Sequence, residues 1–175
     1  MKKLNTRDIC MTGIFTASMA VMAQISVPMP LGVPMTMQTF AISLAGVILG
    51  ARGGFFSTLA YVLLGAAGIP VFANFTGGMG IILGPTGGFI ISFPLMAALI
   101  GWGADNGGKQ MIAGFIAGNI VNFAAGMICF TLSTGKGLDV AFTACVLPFI
   151  PTAIVKAAAA GAVGLNIRAR VMAIT

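Results

Sequence analysis

The side chain with the strongest claim to chemistry is Lys156, a cation set inside the apolar stretch LPFIPTAIVKAAAA. The chain carries three carboxylates, Asp8, Asp105 and Asp139, and each lies at the edge of an apolar run rather than within one. A charge near the middle of a bilayer costs about 2.5–3.5 kcal/mol on insertion scales, and residues that bear that cost usually have a partner. A lysine near a helix end has another outlet: its stem can extend and carry the ammonium to interfacial water. No acidic side chain shares the depth of Lys156, so an anion from outside the protein is expected, and a small carboxylate-bearing ligand is the first candidate.

Asn74 is the second candidate. It opens the polar, glycine-rich stretch Asn74–Gly80 after an apolar segment that carries Pro70. An amide supplies a donor and an acceptor together, which suits an amide- or urea-like ligand, although Asn beside Gly equally makes turns. Asn74-Phe75-Thr76 also matches the N-glycosylation triplet, a weak pattern. Gln38 stands near the outer end of the second apolar segment, and Asn119 and Asn122 share a face of the fifth. Amides in membranes commonly hydrogen-bond neighbouring helices. That role is expected for Asn119 and Asn122, while Gln38 is a candidate for ligand binding.

Several function classes are excluded. Histidine is absent, no two carboxylates lie close together, and Cys10, Cys129 and Cys145 are scattered with no CxxC. Catalytic, metal and disulfide chemistry therefore lack their residues, and neither an enzyme nor a cofactor is expected. Residues 103–110, GADNGGKQ, imitate a phosphate-binding loop, but Gln110 replaces the Ser or Thr that would hold magnesium and no strand precedes it. Net charge is +6, yet the basic residues form no patch interleaved with aromatics, so nucleic acid is not an expected partner. No Asp, Glu or His stands within a span to relay protons. Uphill transport would need energy from another subunit.

The elements that position these groups are membrane helices in contact with lipid. Hydrophobic residues make up 58% and charged residues 7%, with mean hydropathy +1.06, a composition outside the soluble range. A span needs about 20 apolar residues. The chain divides into runs of about 9–27, 36–50, 55–73, 88–104 and 111–132, then a stretch 138–166 split by Pro148 and Pro151 into a short helix and a sixth span. The expected fold is all-α with six transmembrane helices, forming one membrane domain over residues 1–175. No small-residue cleavage site clearly follows the first run, so it reads as a retained helix. With six spans, Lys2, Lys3, Arg7, Arg52, Lys109, Arg168 and Arg170 share one side with both termini. The positive-inside rule makes that side cytoplasmic and places the protein in the plasma (inner) membrane. The PMPLGVP connection and the Asn74 loop then face outward.

Small residues recur at four-residue spacing: Gly13/Ala17, Thr16/Ala20, Gly46/Gly50 and Gly114/Gly118. Such faces let helices approach closely. Most serve internal packing, and one on an outer face could receive a partner protein.

The runs LGVPMTMQTF, YVLLGAAGIPVFANFTGG, GPTGGFIISFPL and LPFIPTAIVKAAAA, in this order over nearly the whole chain, resemble the BioY family, the biotin-binding S components of energy-coupling factor (ECF) transporters. The resemblance implies capture of biotin from outside, in association with a transmembrane coupling subunit and two cytoplasmic ATPase subunits. It implies that Asn74 and Lys156 contact biotin, that the loop between the first two helices closes over the ligand, and that the small-residue face of the first helix, Gly13, Ala17 and Ala20, docks the coupling subunit. One departure stands out. Family members usually carry Asp three residues before the lysine, whereas this chain has Ala153 in Pro151-Thr152-Ala153-Ile154-Val155-Lys156. Positions i and i+3 share a helix face, so an acceptor is missing beside Lys156, and weaker or altered ligand recognition is expected. An S component for a related vitamin or precursor, and a membrane scaffold without a ligand, are the alternatives.

Overall fold

The computed structural model describes residues 6–29 and 32–173. Lys2, Lys3, and Pro30 and Leu31 of the PMPLGVP connection lie outside the described residues. Helix α1 (Thr6–Ala23) leads into a two-residue antiparallel ribbon, β1 (Ser26–Val27) and β2 (Met35–Thr36). There follow α2 (Gln38–Ala66), a 3-10 turn (Ala73–Phe75), α3 (Met79–Ile82), α4 (Gly87–Asn106), α5 (Gly108–Thr134), α6 (Leu138–Cys145) and α7 (Phe149–Ala173). By length and composition α2, α4, α5 and α7 are able to cross a membrane.

The described residues thus hold seven α-helices, and their boundaries depart from the expected six spans in two places. The first run stops at Ala23, because the segment after it pairs Ser26 with Thr36 and Val27 with Met35. The second and third runs join in one element, α2, broken at Gly50 (φ 73°, ψ −177°). The chain doubles back there. A Cβ on Gly54 would sit 2.9 Å from Gly46 Cα, whereas eight residues of unbroken helix cover about 12 Å. Only glycine takes this backbone conformation without strain. The last stretch follows expectation: α6 ends at Cys145, and Pro151 falls in the first turn of α7, where a missing N–H breaks no helical bond.

Close backbone approach organises the centre. A Cβ on Gly46 would meet the Ala97 carbonyl at 2.7 Å, and one on Gly114 would meet the Leu99 carbonyl at 2.6 Å. The small-residue faces of α2 and α5 therefore pack against α4, and any larger side chain would force these helices apart. The buried core runs through Met19, Ile42, Val47, Tyr61, Phe93 and Ile100. A smaller cluster of Phe130, Ala141, Cys145 and Val146 joins α5 to α6, and Val33 of the β1–β2 connection packs into it.

The two ends of the bundle differ. At one end Arg7 Nη2 donates to the Val171 carbonyl at 2.5 Å, bringing the start of α1 to the end of α7. At the same end Asp105 Oδ2 accepts from Ala51 N at 3.0 Å beside the Gly50 turn, and Asp105 Oδ1 pairs with Arg168 at 2.6 Å. At the other end lie the β1–β2 ribbon, the Asn74 turn and the first turns of α7.

Candidate functional site

A cavity of about 220 Å³ opens at that second end. Lys156, Asn74 and Gln38 all line it, and so does Ala153. Phe72, Phe89, Phe93, Phe123 and Phe149 supply most of its apolar wall, while Gly32, Val33 and Pro34 of the β1–β2 connection border it. Phe89 and Phe149 stack with centroids 6.5 Å apart, linking α4 to the start of α7.

Lys156 is half-buried. Its Nζ donates to the Thr36 carbonyl at 2.6 Å and lies 3.4 Å from Thr39 Oγ1. Both acceptors are neutral, and among the described residues no carboxylate pairs with it. The ammonium is thus turned into the protein, toward Thr36 and Thr39. A buried cation met only by neutral acceptors retains a large unmet attraction for an anion.

Asn74 sits in the left-handed region (φ 57°, ψ 36°), followed by Phe75 (φ 54°). Asparagine tolerates this conformation better than most residues. The turn is held from the end of α1: Gln24 Nε2 donates to the Phe72 carbonyl at 3.1 Å and Gln24 Oε1 accepts from Phe75 N at 2.8 Å. Ser26 Oγ donates to Asn74 Oδ1 at 2.5 Å. Asn74 Nδ2 has no partner among the described residues. The residue is exposed, so this donor is open to a ligand.

Gln38 lines the cavity but its amide is committed. Oε1 accepts from Thr36 Oγ1 at 2.9 Å and Nε2 donates to Tyr61 Oη at 2.6 Å, while Tyr61 donates to the Val71 carbonyl at 2.9 Å. The side chain is 6% exposed. It ties the two halves of α2 together and holds Thr36, the residue whose carbonyl receives Lys156.

Asn119 and Asn122 also line the cavity. Asn122 behaves as expected of a packing residue, with Nδ2 donating to the Phe89 carbonyl at 3.0 Å and to Ser92 Oγ at 2.9 Å across the α4–α5 contact. Asn119 does not: its Nδ2 donates within its own helix, to the Phe115 carbonyl at 2.8 Å, and reaches no neighbouring helix. The i, i+3 spacing of the pair is visible in the sequence, but the wall it faces is set by which residues of α4 stand opposite.

On α1, Gly13 and Ala17 are exposed, and a Cβ on Gly13 would meet nothing within 4 Å. Ala20 is partly buried against the core, and Thr16 is buried, with Oγ1 donating to the Ser57 carbonyl at 2.9 Å. The outward small face therefore consists of Gly13 and Ala17, with Ala20 at its margin.

The family model of the BioY family matches residues 1–173. A relative named probable biotin transporter BioY, from Pyrococcus horikoshii, is 43% identical over 90% of this chain and 93% of its own. The biotin transporter BioY of Thermotoga maritima is 35% identical over 93% of this chain and 96% of its own. Among solved structures, the S-component for biotin from an ECF-type ABC transporter superposes with a TM-score of 0.86 at 23% identity, covering 96% of this chain and 94% of that one. Its fold is therefore the fold of this chain. With a whole-length family match and relatives similar from end to end, the chain belongs to the BioY family.

Proposed function

We propose that this protein captures biotin on the outer side of the cell membrane, as the substrate-binding subunit of an ATP-driven ECF importer, and is not itself an enzyme. The observation that carries this reading is the meeting of Lys156 and Asn74 in one aromatic-walled cavity, with no carboxylate of the protein on the lysine. Biotin has a carboxylate, a cyclic urea and an apolar thioether ring. A cation, an amide donor and aromatic walls are the complementary set. Lys156 exchanges or adds to its bond with Thr36 by taking the carboxylate, a charge-assisted contact. Asn74 Nδ2 donates to the urea carbonyl. Gln38 acts indirectly, by fixing Thr36.

The whole chain is then one substrate-binding domain with six spans, α1, the two halves of α2, α4, α5 and α7. Its basic end, carrying Arg7 and Arg168, faces the cytoplasm in accordance with the positive-inside rule. The exposed face of Gly13 and Ala17 on α1 receives the transmembrane coupling subunit, which joins two ATPase subunits.

Calorimetry with biotin on the purified protein in detergent tests the reading, with wild type and Lys156→Met side by side. Saturable wild-type binding that weakens by roughly a hundredfold in the variant is expected, in line with removal of one member of a buried charge pair. Absence of wild-type binding would sink the biotin assignment. Ala153 favours one second reading, a related vitamin or precursor whose ring asks for fewer acceptors. A competition panel that ranks such a compound above biotin would establish it.

A further inference from the structure

The amides of Asn119 and Asn122 have a feature in common that packing does not explain. Each uses its Nδ2 as a donor to a backbone carbonyl, Phe115 in one case and Phe89 in the other. Rotating either amide would set oxygen against a carbonyl oxygen, so each orientation is locked. Each Oδ1 is left without a donor among the described residues. Neither oxygen is sealed away, because the buried side-chain polar atom without a partner among the described residues is Thr131 Oγ1. Both residues line the cavity. At i, i+3 their Cβ atoms stand about 5–6 Å apart on one helix face. The α5 side of the cavity therefore presents two fixed, neutral acceptors.

A cyclic urea carries two N–H groups that diverge from its ring. On α7, Ala153 lines the same cavity, and its methyl side chain accepts nothing. We infer that Oδ1 of Asn119 and Oδ1 of Asn122 accept the two ring N–H groups of the ligand, and that this asparagine pair sets the specificity for an N–H-bearing ring. The inference rests on the biotin reading. It adds that the ring is recognised from α5, and that the carboxylate contact at Lys156 is left unshared. Two neutral acceptors also reject a ligand that presents acceptors or alkyl groups at those positions, since a polar group left unpaired there is costly.

The experiment uses full-length protein in detergent and two probes, biotin and biotin methylated at both ureido nitrogens. Wild type, Asn119→Ala, Asn122→Ala and Asn119→Ala/Ala153→Asp are titrated by calorimetry, with melting temperature and monodispersity recorded for each. Asn119→Ala is the primary variant, because it gives up only a bond to its own helix. The expected result is a loss of about tenfold for biotin, a smaller loss for the methylated probe, and recovery of biotin binding in the double variant. Equal losses for both probes, or wild-type affinity in Asn119→Ala, would overturn the inference while leaving biotin capture standing. Failure of wild type to bind biotin would remove both, and that outcome is seen before any variant is compared.

Discussion

Lys156 and Arg168 are two cations on one helix, 12 residues apart, and their surroundings are opposite. That spacing is about 18 Å along α7. Arg168 has an anion, Asp105, at 2.6 Å, and a second contact to the Val47 carbonyl at 2.9 Å. Lys156 has a carbonyl and a hydroxyl and, among the described residues, no anion. At the first end Arg168 is matched by Asp105, and the same carboxylate also caps the Gly50 turn. The second holds a cation with no anion among the described residues, a gap that a carboxylate from outside would fill. A bundle tied together at the Arg168–Asp105 end can leave the other end open for a ligand.

The comparison is broken most severely by removing either cation, and the two removals should act on different quantities. Lys156→Met is expected to abolish most biotin affinity, roughly a hundredfold or more, while its melting temperature in detergent holds or rises because a charge without an anion has gone. Equal thermal losses for Lys156→Met and Arg168→Met would erase the distinction between the ends.

Asp105→Ala should show the reverse pattern. It removes the Arg168 pair and the acceptor for Ala51 N, and a loss of about 1–3 kcal/mol in stability is expected, read as a lower melting temperature with biotin affinity within a few-fold of wild type. Gly50→Ala belongs with it. The positive φ and a Cβ placed 2.7 Å from Asp105 Oδ1 predict destabilisation of about 1–3 kcal/mol.

Ala153→Asp sharpens the contrast by giving the open end an anion of its own. Biotin affinity within a few-fold of wild type is expected, because Asn119 and Asn122 already accept both ring N–H groups, and a gain of about tenfold or more by calorimetry would show that the ring lacks an acceptor at this position. The smallest effect should come from Ser26→Ala, which frees Asn74 Oδ1 and loosens the turn. A two- to five-fold loss of affinity, in the range of one hydrogen bond, is the expected reading.

Much of this was legible in the residues. Lys156 was marked by its charge within an apolar stretch and Asn74 by its place in a polar loop after an apolar run, and both line one cavity. The break between α6 and α7 followed from Pro148 and Pro151, and the reversal at Gly50 was foreshadowed by the Ala51-Arg52-Gly53-Gly54 cluster. Gln38 was harder. Its type and position suited a ligand, but its amide is consumed by Thr36 and by Tyr61, 23 residues further on, a partner set by the fold of α2 back on itself. The roles of Asn119 and Asn122 were hidden for a similar reason. Helix periodicity tells which residues share a face, and only the packing of α4 against α5 tells which atom of each amide is occupied. Ala20, grouped with Gly13 and Ala17 and only about 20° from Gly13 around α1, is nonetheless partly buried because it packs against the core.

The bonds running from Lys156 through Thr36 and Gln38 to Tyr61 give the molecule an optical consequence. Tyr61 is the one tyrosine of the chain and Trp102 the one tryptophan. Tyr61 lies at the end of the chain of bonds that starts on the lysine, while Trp102 is on the last turns of α4, near Asp105. A carboxylate that drew Lys156 away from Thr36 would shift the hydrogen bonding of the phenol, with the indole outside that chain of bonds. Ultraviolet emission from one unlabelled sample would then carry a signal from the cavity beside that of the indole.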